Sequence, residues 1–312
     1  MKKIFNNANR FVIDWTLNSL CTYHCSYCPP MLHRGNNEIY DKDTDKGIVI
    51  NFLNKLYEQV KDKNVHMFIN GGEPTISHNL EPILDFCHEH GWCTYLSTNC
   101  SRSLTWWEQY ASKISKVTVS YHPEFVTEDI YEKMAYIGTQ TNIGVFTLMY
   151  PPLWHKSIDA YNRFEKIENI TLSASRVFKR DTNDFSDSYT YSPEQLKWLE
   201  ENSHVRYSST HFPPINDNTF GQTFIDINGF SEPLNEVEYV NNRKNSFVGW
   251  ECNMGVDHIN INPFGFISQS ACSQAKTIST LKDFTILPTN SEKCQTEWCM
   301  CTADVMIPKW TT

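Results

Sequence analysis

Three cysteines fall within eight residues near the N-terminus, in the stretch Cys21-Thr22-Tyr23-His24-Cys25-Ser26-Tyr27-Cys28. Because a chain extends by at most about 3.5 Å per residue, their sulfur atoms can converge only if this segment curls around something small. Thiolates are soft ligands that select iron–sulfur clusters or zinc. A [4Fe-4S] cube suits such a loop. Since the loop supplies three cysteines, one iron would stay open to bind another molecule.

The C-x3-C-x2-C spacing, with the aromatic Tyr27 just before the last cysteine, resembles that of the radical S-adenosylmethionine (SAM) enzymes. The resemblance implies that Cys21, Cys25 and Cys28 are catalytic and hold a [4Fe-4S] cluster, whose open iron is chelated by SAM. It also implies that one electron from the cluster splits SAM into methionine and a 5'-deoxyadenosyl radical, which takes a hydrogen atom from the substrate. A zinc knuckle with a distant fourth ligand is the alternative, and the context of the motif distinguishes the two.

The composition predicts a folded protein that is not exported. The chain has 312 residues, of which 40% are hydrophobic and 13% aromatic, enough for one large or two modest domains. A net charge of −9 makes nucleic acid a poor partner, because phosphate binding needs a basic surface. The sequence has no apolar run of about 20 residues that would span a membrane, and residues 1–7 turn polar too soon for a signal peptide. We therefore expect a cytoplasmic protein whose eleven cysteines are metal ligands and free thiols.

Strands and helices alternate along the first part of the chain. The predicted strands are 11–18, 65–70, 92–98, 116–121, 142–150 and 170–177. The predicted helices between them are 43–61 (with Asp43 or Thr44 as N-cap), 80–90, 104–114, 128–136 and 157–166. This alternation predicts an α/β fold with a parallel sheet and covering helices. Six units are too few for an eightfold barrel, and the resemblance implies a partial (β/α)6 TIM-type barrel, with its chemistry at the C-terminal ends of the strands.

The motif Gly71-Gly72-Glu73-Pro74 follows the second predicted strand. Glycines allow the backbone to approach a ligand without interference from a Cβ atom, and the carboxylate of Glu73 can face an ammonium group. The resemblance implies that this segment, which matches the family's GGE motif, binds the amino group of SAM.

Polar side chains end the next two predicted strands. The resemblance implies that Ser97, Asn99 and Ser120 contact the ribose and carboxylate of SAM, and that Tyr27 packs beside the adenine. His122 follows Ser120 closely and is a catalytic candidate. It could contact SAM, bind substrate, donate a proton, or be a structural histidine before a proline.

Arg176 ends the sixth predicted strand. Its guanidinium could bind the SAM carboxylate or an anionic group of the substrate, and a surface salt bridge is the alternative.

The pattern changes beyond Arg180. A helix is expected from Ser192-Pro193 through Glu201, and a short strand over 223–227. We expect a radical SAM barrel over 1–205 and a smaller Cys-rich iron–sulfur domain over 206–312. Within the second part, residues 260–268 predict a hairpin that turns at Pro263-Phe264-Gly265.

A second group of cysteines lies near the C-terminus: Cys252, Cys272, Cys294, Cys299 and Cys301. A hairpin flanked by cysteines and followed by a short cysteine cluster resembles the twitch or SPASM extension of radical SAM enzymes. The resemblance implies an auxiliary [4Fe-4S] cluster held by four of the five cysteines, or by three if substrate fills one position. The sequence does not choose the four. Structural zinc held by four thiolates is the alternative.

The interpretation as a whole is an enzyme that abstracts hydrogen from a substrate held between the two parts of the chain. We expect a small molecule, such as a nucleotide or an amino-acid derivative, because only ten residues precede the first predicted strand and this disfavours leader-dependent peptide modification. A peptide- or protein-modifying maturase is the second interpretation. A flavodoxin or ferredoxin is expected to reduce the first cluster. A non-catalytic iron–sulfur or zinc protein is the alternative from another class, although it would need no SAM pocket.

Overall fold

We examined the protein as a computed structural model, which describes residues 1–28, 44–177, 189–203, 206–207, 221–299 and 302–312. The strands are β1 (Lys2–Asn6), β2 (Arg10–Asn18), β3 (Asn64–Gly71), β4 (Cys93–Thr98), β5 (Lys116–Tyr121), β6 (Asn142–Met149), β7 (Ile170–Arg176), β8 (Arg206–Tyr207), β9 (Thr223–Ile227), β10 (Phe230–Pro233), β11 (Glu251–Cys252), β12 (His258–Ile261), β13 (Phe266–Ser268), β14 (Thr277–Thr280), β15 (Glu292–Lys293) and β16 (Lys309–Trp310). The helices are α1 (Lys46–Val60), α2 (Leu80–Glu89), α3 (Leu104–Tyr110), α4 (Ile130–Gln140), α5 (Trp154–Phe164), α6 (Pro193–Asn202), α7 (Glu236–Asn241) and α8 (Thr302–Val305). In the described part of the chain, none of these helices is long and apolar enough to cross a membrane.

A ten-stranded sheet forms the centre of the fold, in the order β14-β13-β12-β2-β3-β4-β5-β6-β7-β8. The strands from β2 to β7 are parallel neighbours in chain order. These are the six strands that the sequence predicts, so the prediction of an α/β fold with a parallel sheet is confirmed. Their carboxyl ends lie at one edge of the sheet, where the predicted cysteine and Gly-Gly-Glu motifs follow β2 and β3.

One face of this sheet packs against helices and the other is polar. Along β2, Phe11, Ile13 and Trp15 belong to the main hydrophobic core. Asp14 and Thr16 alternate with them and are half-buried. Because successive side chains of a strand point to opposite faces, the polar residues line the face that the helices do not cover.

Several helix ends differ from the sequence prediction. The side chain of Asp45, rather than Thr44, caps α1 by accepting hydrogen bonds from the backbone of Gly47 and Ile48, while the other predicted cap, Asp43, lies outside the described residues. Helix α4 covers 130–140 instead of 128–136, and α5 begins at Trp154 instead of 157. A 3-10 turn over Pro151–Leu153 leads directly into α5, because proline has a fixed φ that suits the first turn of a helix.

The predicted hairpin over 260–268 is present: β12 and β13 are antiparallel, with Asn260 opposite Ser268. The sequence did not predict its neighbour, because β12 also pairs in parallel with β2. Ile259 and Ile261 of this strand are fully buried in the same core as the first part of the chain.

A second, six-stranded sheet joins the two ends of the chain in the order β10-β9-β1-β16-β11-β15. The N-terminal strand β1, which the sequence analysis missed, lies between β9 and β16. Both sheets therefore contain strands from each side of residue 205. The division into 1–205 and 206–312 stays a prediction.

Candidate functional site

The cysteine loop leaves the carboxyl end of β2. Cys25 is buried, whereas Cys21 and Cys28 are half-buried. The backbone N–H of Cys28 donates to the carbonyl of Cys25 over 3.0 Å, and the N–H of Tyr23 donates to the sulfur of Cys21 over 3.4 Å. These local hydrogen bonds bend the segment back on itself, as the short spacing of the three cysteines led us to expect.

The three sulfur atoms are close enough to influence one another. The pKa of Cys25 is raised to about 12, chiefly by burial and with contributions from the neighbouring Cys28, Glu124 and Cys21. Burial also raises the pKa of Cys21. Metal binding reverses this preference, because a coordinating thiol is held as the thiolate. Three thiols on one short loop suit an iron–sulfur cluster by their chemistry, because thiolates are soft ligands. Among the described residues, no three His, Cys, Asp or Glu side chains are arranged to hold a metal ion.

Gly71 and Gly72 allow the backbone at the end of β3 to pack closely against the backbone just before the cysteine loop. A Cβ atom on Gly72 would lie 2.1 Å from the carbonyl oxygen of Leu20, and one on Gly71 would lie 2.5 Å from that of Asn18. The backbone of Glu73 donates to the Leu20 carbonyl over 2.6 Å. The two glycines are therefore needed for the approach of two backbones, which fixes Glu73 beside the residue that precedes Cys21.

The carboxylate of Glu73 is completely buried. Its Oε1 accepts hydrogen bonds from the backbone N–H and hydroxyl of Thr75 and from the hydroxyl of Thr98. Its Oε2 accepts one from the backbone N–H of Asn99 over 2.6 Å. Burial raises the pKa of Glu73 despite these four bonds, which lower it. Because a carboxylate oxygen offers two lone pairs, Oε2 keeps capacity for one further donor.

Asn99 connects this carboxylate to the cysteine loop. Its backbone binds Glu73, while its side-chain amide donates to the sulfur of Cys21 over 3.5 Å and to the hydroxyl of Thr22 over 3.1 Å. The structure thus brings together three predicted features: the first cysteine, the Gly-Gly-Glu motif and the end of β4. Pro74 is buried at the start of the 3-10 turn that follows.

An aromatic cluster surrounds the middle of the loop. The rings of Tyr27 and His122 stack, with 5.9 Å between their centroids, and Tyr150 packs against Tyr27 at 4.9 Å. Nδ1 of His122 lies 3.1 Å from the hydroxyl of Tyr27 and 3.4 Å from the sulfur of Cys25. His122 therefore lies in direct contact with a predicted ligand, and its role there stays a prediction.

The residues that hold this loop in place by hydrogen bonds were not predicted from the sequence. The carboxylate of Glu124 accepts hydrogen bonds from the backbone and the hydroxyl of Ser26, both over 2.8 Å. The hydroxyl of Ser26 also lies 2.9 Å from that of Tyr150. Since Glu124 is 98 positions from Ser26 along the chain, only the fold reveals this pair. A glutamate two residues after His122 at the end of a predicted strand was the available signal.

Ser97 and Ser120 lie on the polar face of the sheet. Ser97 is exposed and pairs in register with Thr118, and Ser120 is half-buried on the next strand, β5. Thr16 on β2 donates to the side-chain oxygen of Asn70 on β3 over 2.9 Å and continues this polar surface. The roles of Ser97 and Ser120 toward SAM stay predictions.

Arg176 occupies an exposed position at the end of β7. Burial raises the pKa of Tyr191, and the nearby Arg176 guanidinium acts to lower it. The structure thus places Arg176 near Tyr191, and its predicted contact with SAM or substrate stays a prediction.

A cavity of about 210 Å³ lies on the face of β2 that carries Thr16. It is located at Asp14, two residues further from the cysteine loop. Asp14, Phe68 and His258 line it together with Met306 from the segment after α8. Oδ2 of Asp14 lies 2.9 Å from Nε2 of His258, whose side chain is only 2% exposed compared with 20% for Asp14. The sequence analysis missed this pair, because β12 meets β2 only in the fold.

Four C-terminal cysteines lie near one another, although no three of the described ones are arranged to hold a metal ion. Cys252, Cys294 and Cys299 are buried, and Cys272 is half-buried. The pKa of Cys299 is raised to about 12, chiefly by burial and with contributions from Cys272 and Cys252. Burial likewise raises the pKa of Cys294, with a contribution from Cys272, and that of Cys252, with a contribution from Cys294. Each of these four thiols is therefore near two others. Cys301 lies outside the described residues.

All ten described cysteines are free thiols, in agreement with the expectation from the sequence. The donor set at the second site is entirely sulfur, which suits an iron–sulfur cluster or zinc. The hydroxyl of Thr296 lies 3.4 Å from the sulfur of Cys272. One of the four cysteines therefore has a polar side chain within hydrogen-bond distance.

Comparison with solved structures identifies the class of fold. The chain has the fold of the radical SAM enzymes, as the cysteine motif led us to expect. It matches Streptococcus suis SuiB bound to S-adenosylmethionine with a TM-score of 0.53 and 13% identity, over 88% of this chain and 64% of SuiB. The chain therefore spans less than two thirds of the length of that protein.

Two further structures share the fold. SuiB bound to precursor peptide SuiA matches with a TM-score of 0.50 and 14% identity, over 89% of this chain and 64% of that one. A histidine-tagged form of anSMEcpe with bound AdoMet matches with a TM-score of 0.50 and 12% identity, over 88% of this chain and 75% of that one. No protein-family model matches the sequence, and no curated protein matches it.

Proposed function

We propose that this chain is a radical SAM enzyme, which cleaves S-adenosylmethionine reductively and abstracts hydrogen from a substrate. One observation carries the proposal: the Gly-Gly-Glu segment packs against the residue before Cys21, and Asn99 joins the Glu73 carboxylate to the Cys21 sulfur. Electron transfer alone would need no such SAM-binding segment beside the cysteine loop. The fold shared with SAM-bound proteins supports the same conclusion.

Cys21, Cys25 and Cys28 would hold the [4Fe-4S] cluster. Glu73 has one lone pair on Oε2 available for the ammonium of SAM, and Ser97, Asn99 and Ser120 would bind its ribose and carboxylate. Tyr27 would pack beside the adenine. When bound, the cluster and SAM together supply the radical that removes a hydrogen atom from the substrate. His122 orients the loop through its contacts with Cys25 and Tyr27.

The architecture that we propose is a partial (β/α)6 barrel made by β2–β7 and their helices, followed by a twitch- or SPASM-like part that holds an auxiliary cluster. Residues 1–205 make up roughly two thirds of the chain, so a match over 88% of it extends into the second part. Cys252, Cys272, Cys294 and Cys299 are mutual neighbours. They are the four ligands that we propose.

The substrate that we favour is a small molecule, such as a nucleotide or an amino-acid derivative. The cavity beside Asp14 and His258 supports this choice, since about 210 Å³ is small and carries a hydrogen-bonded acid–base pair. A peptide substrate is the second candidate, because SuiB, which shares the fold, is seen bound to a precursor peptide. A cytoplasmic location and reduction by a flavodoxin or ferredoxin complete the proposal.

The direct test is SAM cleavage by the full chain after anaerobic reconstitution with iron and sulfide. With dithionite as reductant, we expect 5'-deoxyadenosine to form, and Cys25→Ala to abolish its formation. Cys93→Ser, a change in a cysteine away from both groups, should retain it. Normal cleavage by Cys25→Ala would rule out the cluster assignment, and zinc without cleavage in the native chain would favour the non-catalytic alternative.

Iron content tests the auxiliary cluster. The native protein should bind about eight irons per chain, as expected for two [4Fe-4S] clusters, and Cys272→Ala should bind about four while keeping some SAM cleavage. Unchanged iron in Cys272→Ala would contradict the second cluster.

A further inference from the structure

Lys309 is a buried lysine beside the C-terminal cysteines. It lies on β16 directly opposite Cys252 on β11, so the two side chains share one face of the six-stranded sheet. Residues paired in this way have Cβ atoms about 4.5–5.5 Å apart. Lys309 is 2% exposed, and its four-carbon side chain therefore ends within the protein rather than in water.

The ammonium group of Lys309 contacts uncharged groups. Nζ donates to the backbone carbonyls of Asp304 over 2.6 Å and Val305 over 3.1 Å, and it lies 4.5 Å from the centre of the Phe247 ring. With the residues that the structure describes, Lys309 forms no ion pair. Carbonyl and ring contacts orient the ammonium, but neither kind of group carries a full negative charge.

A buried charge of this kind is costly unless an anion lies close to it. Lys309 binds the backbone carbonyl of Asp304, and among the described residues no carboxylate oxygen forms an ion pair with its Nζ. The cysteines are the other candidates. Cys252 is paired directly with Lys309 across the two strands, so its sulfur lies on the same face of the sheet as the ammonium group.

We propose that Lys309 is the counter-charge of the auxiliary cluster and raises its reduction potential. The inference rests on the proposed function, since it needs a cluster held by Cys252, Cys272, Cys294 and Cys299. A cube with four thiolate ligands carries net negative charge, and one-electron reduction adds another. A fixed cation nearby stabilises the reduced form more than the oxidised form, because hydrogen bonding and charge around a cluster set its potential.

The test is a redox titration of the reconstituted full chain, followed by electron paramagnetic resonance. Lys309→Met and Lys309→Gln remove the charge, and Lys309→Arg keeps it. We expect the neutral variants to lower the equilibrium constant for reduction of the auxiliary cluster about tenfold, which is ~59 mV for a one-electron couple. The potential of the N-terminal cluster should not move. Lys276→Met is the matched control, because Lys276 pairs with Glu292 and its side chain is 67% exposed.

Several outcomes separate this inference from the proposal beneath it. Equal potentials in Lys309→Gln and Lys309→Arg would overturn it. If the neutral variants lose the iron of the second cluster, the inference is supported when Lys309→Arg keeps that iron and contradicted when it does not. A native protein that binds only about four irons would instead end the auxiliary-cluster proposal itself, and this inference with it.

Discussion

At the scale of single residues, Glu73 is a fully buried carboxylate that the surrounding backbone and hydroxyl groups hold in place. Four donors from Thr75, Thr98 and Asn99 compensate for its loss of water, yet burial still raises its pKa above the ordinary value of 4.5. The carboxylate therefore holds a proton more tightly in the folded state than in the unfolded state. The ammonium of SAM would favour the ionised form, because an opposite charge nearby lowers the pKa of a carboxyl group.

This raised pKa makes a prediction for stability in the full chain without SAM. The contribution of Glu73 is fully present below pH 4.5 and is lost as the pH rises through the higher pKa of the folded state. Glu73→Gln does not titrate and serves as the reference. The free energy of unfolding of the native chain, relative to that of Glu73→Gln, should decrease as the pH rises above 4.5.

Urea titrations of both proteins at several pH values measure this difference. Glu81→Gln is the matched control, because Glu81 accepts a hydrogen bond from the Trp106 indole in a less buried place. A difference that stays constant or grows with pH would contradict the raised pKa of Glu73.

Residue identity alone predicted which motifs lie together at this edge of the sheet. The three N-terminal cysteines and Gly71-Gly72-Glu73 stand in short motifs whose chemistry is readable from the sequence, and the structure brings them together. Glu124 and His258 were missed for a physical reason. Each acts through a partner far away in the chain, Ser26 or Asp14, and only strand pairing determines which distant residues meet.

At the scale of elements, the cysteine loop depends on the segment after β5. Glu124 binds both the backbone and the hydroxyl of Ser26, in the middle of the loop. The cysteine loop therefore follows β2 in the chain and is held in place by the segment that follows β5.

Removal of this fastening should loosen the loop. We expect Glu124→Ala to lower hydrogen-exchange protection of the Ser26 amide at least tenfold and to reduce iron uptake during reconstitution. The reason is that the backbone donor and the hydroxyl of Ser26 both lose their acceptor, and each lost hydrogen bond is worth about 1 kcal/mol. Hydrogen exchange and iron analysis check the two effects.

The control is Glu128→Ala, which removes a nearby exposed glutamate that pairs with Arg163 outside the loop. If both variants take up iron like the native chain, Glu124 does not fasten the loop.

Element positions followed well from local patterns where those patterns were strong. Strand β5 covers the residues that the sequence predicts, because alternating Val117 and Val119 mark its buried face. The start of α5 was misplaced because a pair of prolines usually ends a strand or helix, whereas here the pair leads directly into a helix. Strand β1 was missed because its residues gain their hydrogen bonds only from β9 and β16, more than 200 positions away.

At the scale of the whole molecule, the two sheets bind both parts of the chain together. Strand β12 covers the edge of β2, and β1 is sandwiched between β9 and β16. Ile259 and Ile261 add fully buried side chains to the core of the first part. Sequence patterns predict each strand separately, but they do not reveal which edges need a partner.

We therefore expect the isolated segment 1–205 to fail to fold cooperatively, although the sequence suggested a domain boundary there. The exposed edge of β2 and the unpaired β1 would leave backbone groups unsatisfied and apolar surface in water, which promotes aggregation. Circular dichroism and thermal unfolding of the segment, beside the full chain, provide the measurement. A soluble 1–205 fragment with a sharp unfolding transition would show that the boundary marks an independent domain.

If the N-terminal loop presents an iron–sulfur centre to SAM, binding of SAM should change the magnetic signal of that centre. The anaerobically reconstituted full chain, reduced with dithionite, is examined by electron paramagnetic resonance before and after addition of SAM. We predict that SAM changes the spectrum of a reduced [4Fe-4S] centre in the native chain and in Cys272→Ala, where the auxiliary centre is removed. A reduced centre whose spectrum is the same with and without SAM would contradict the account.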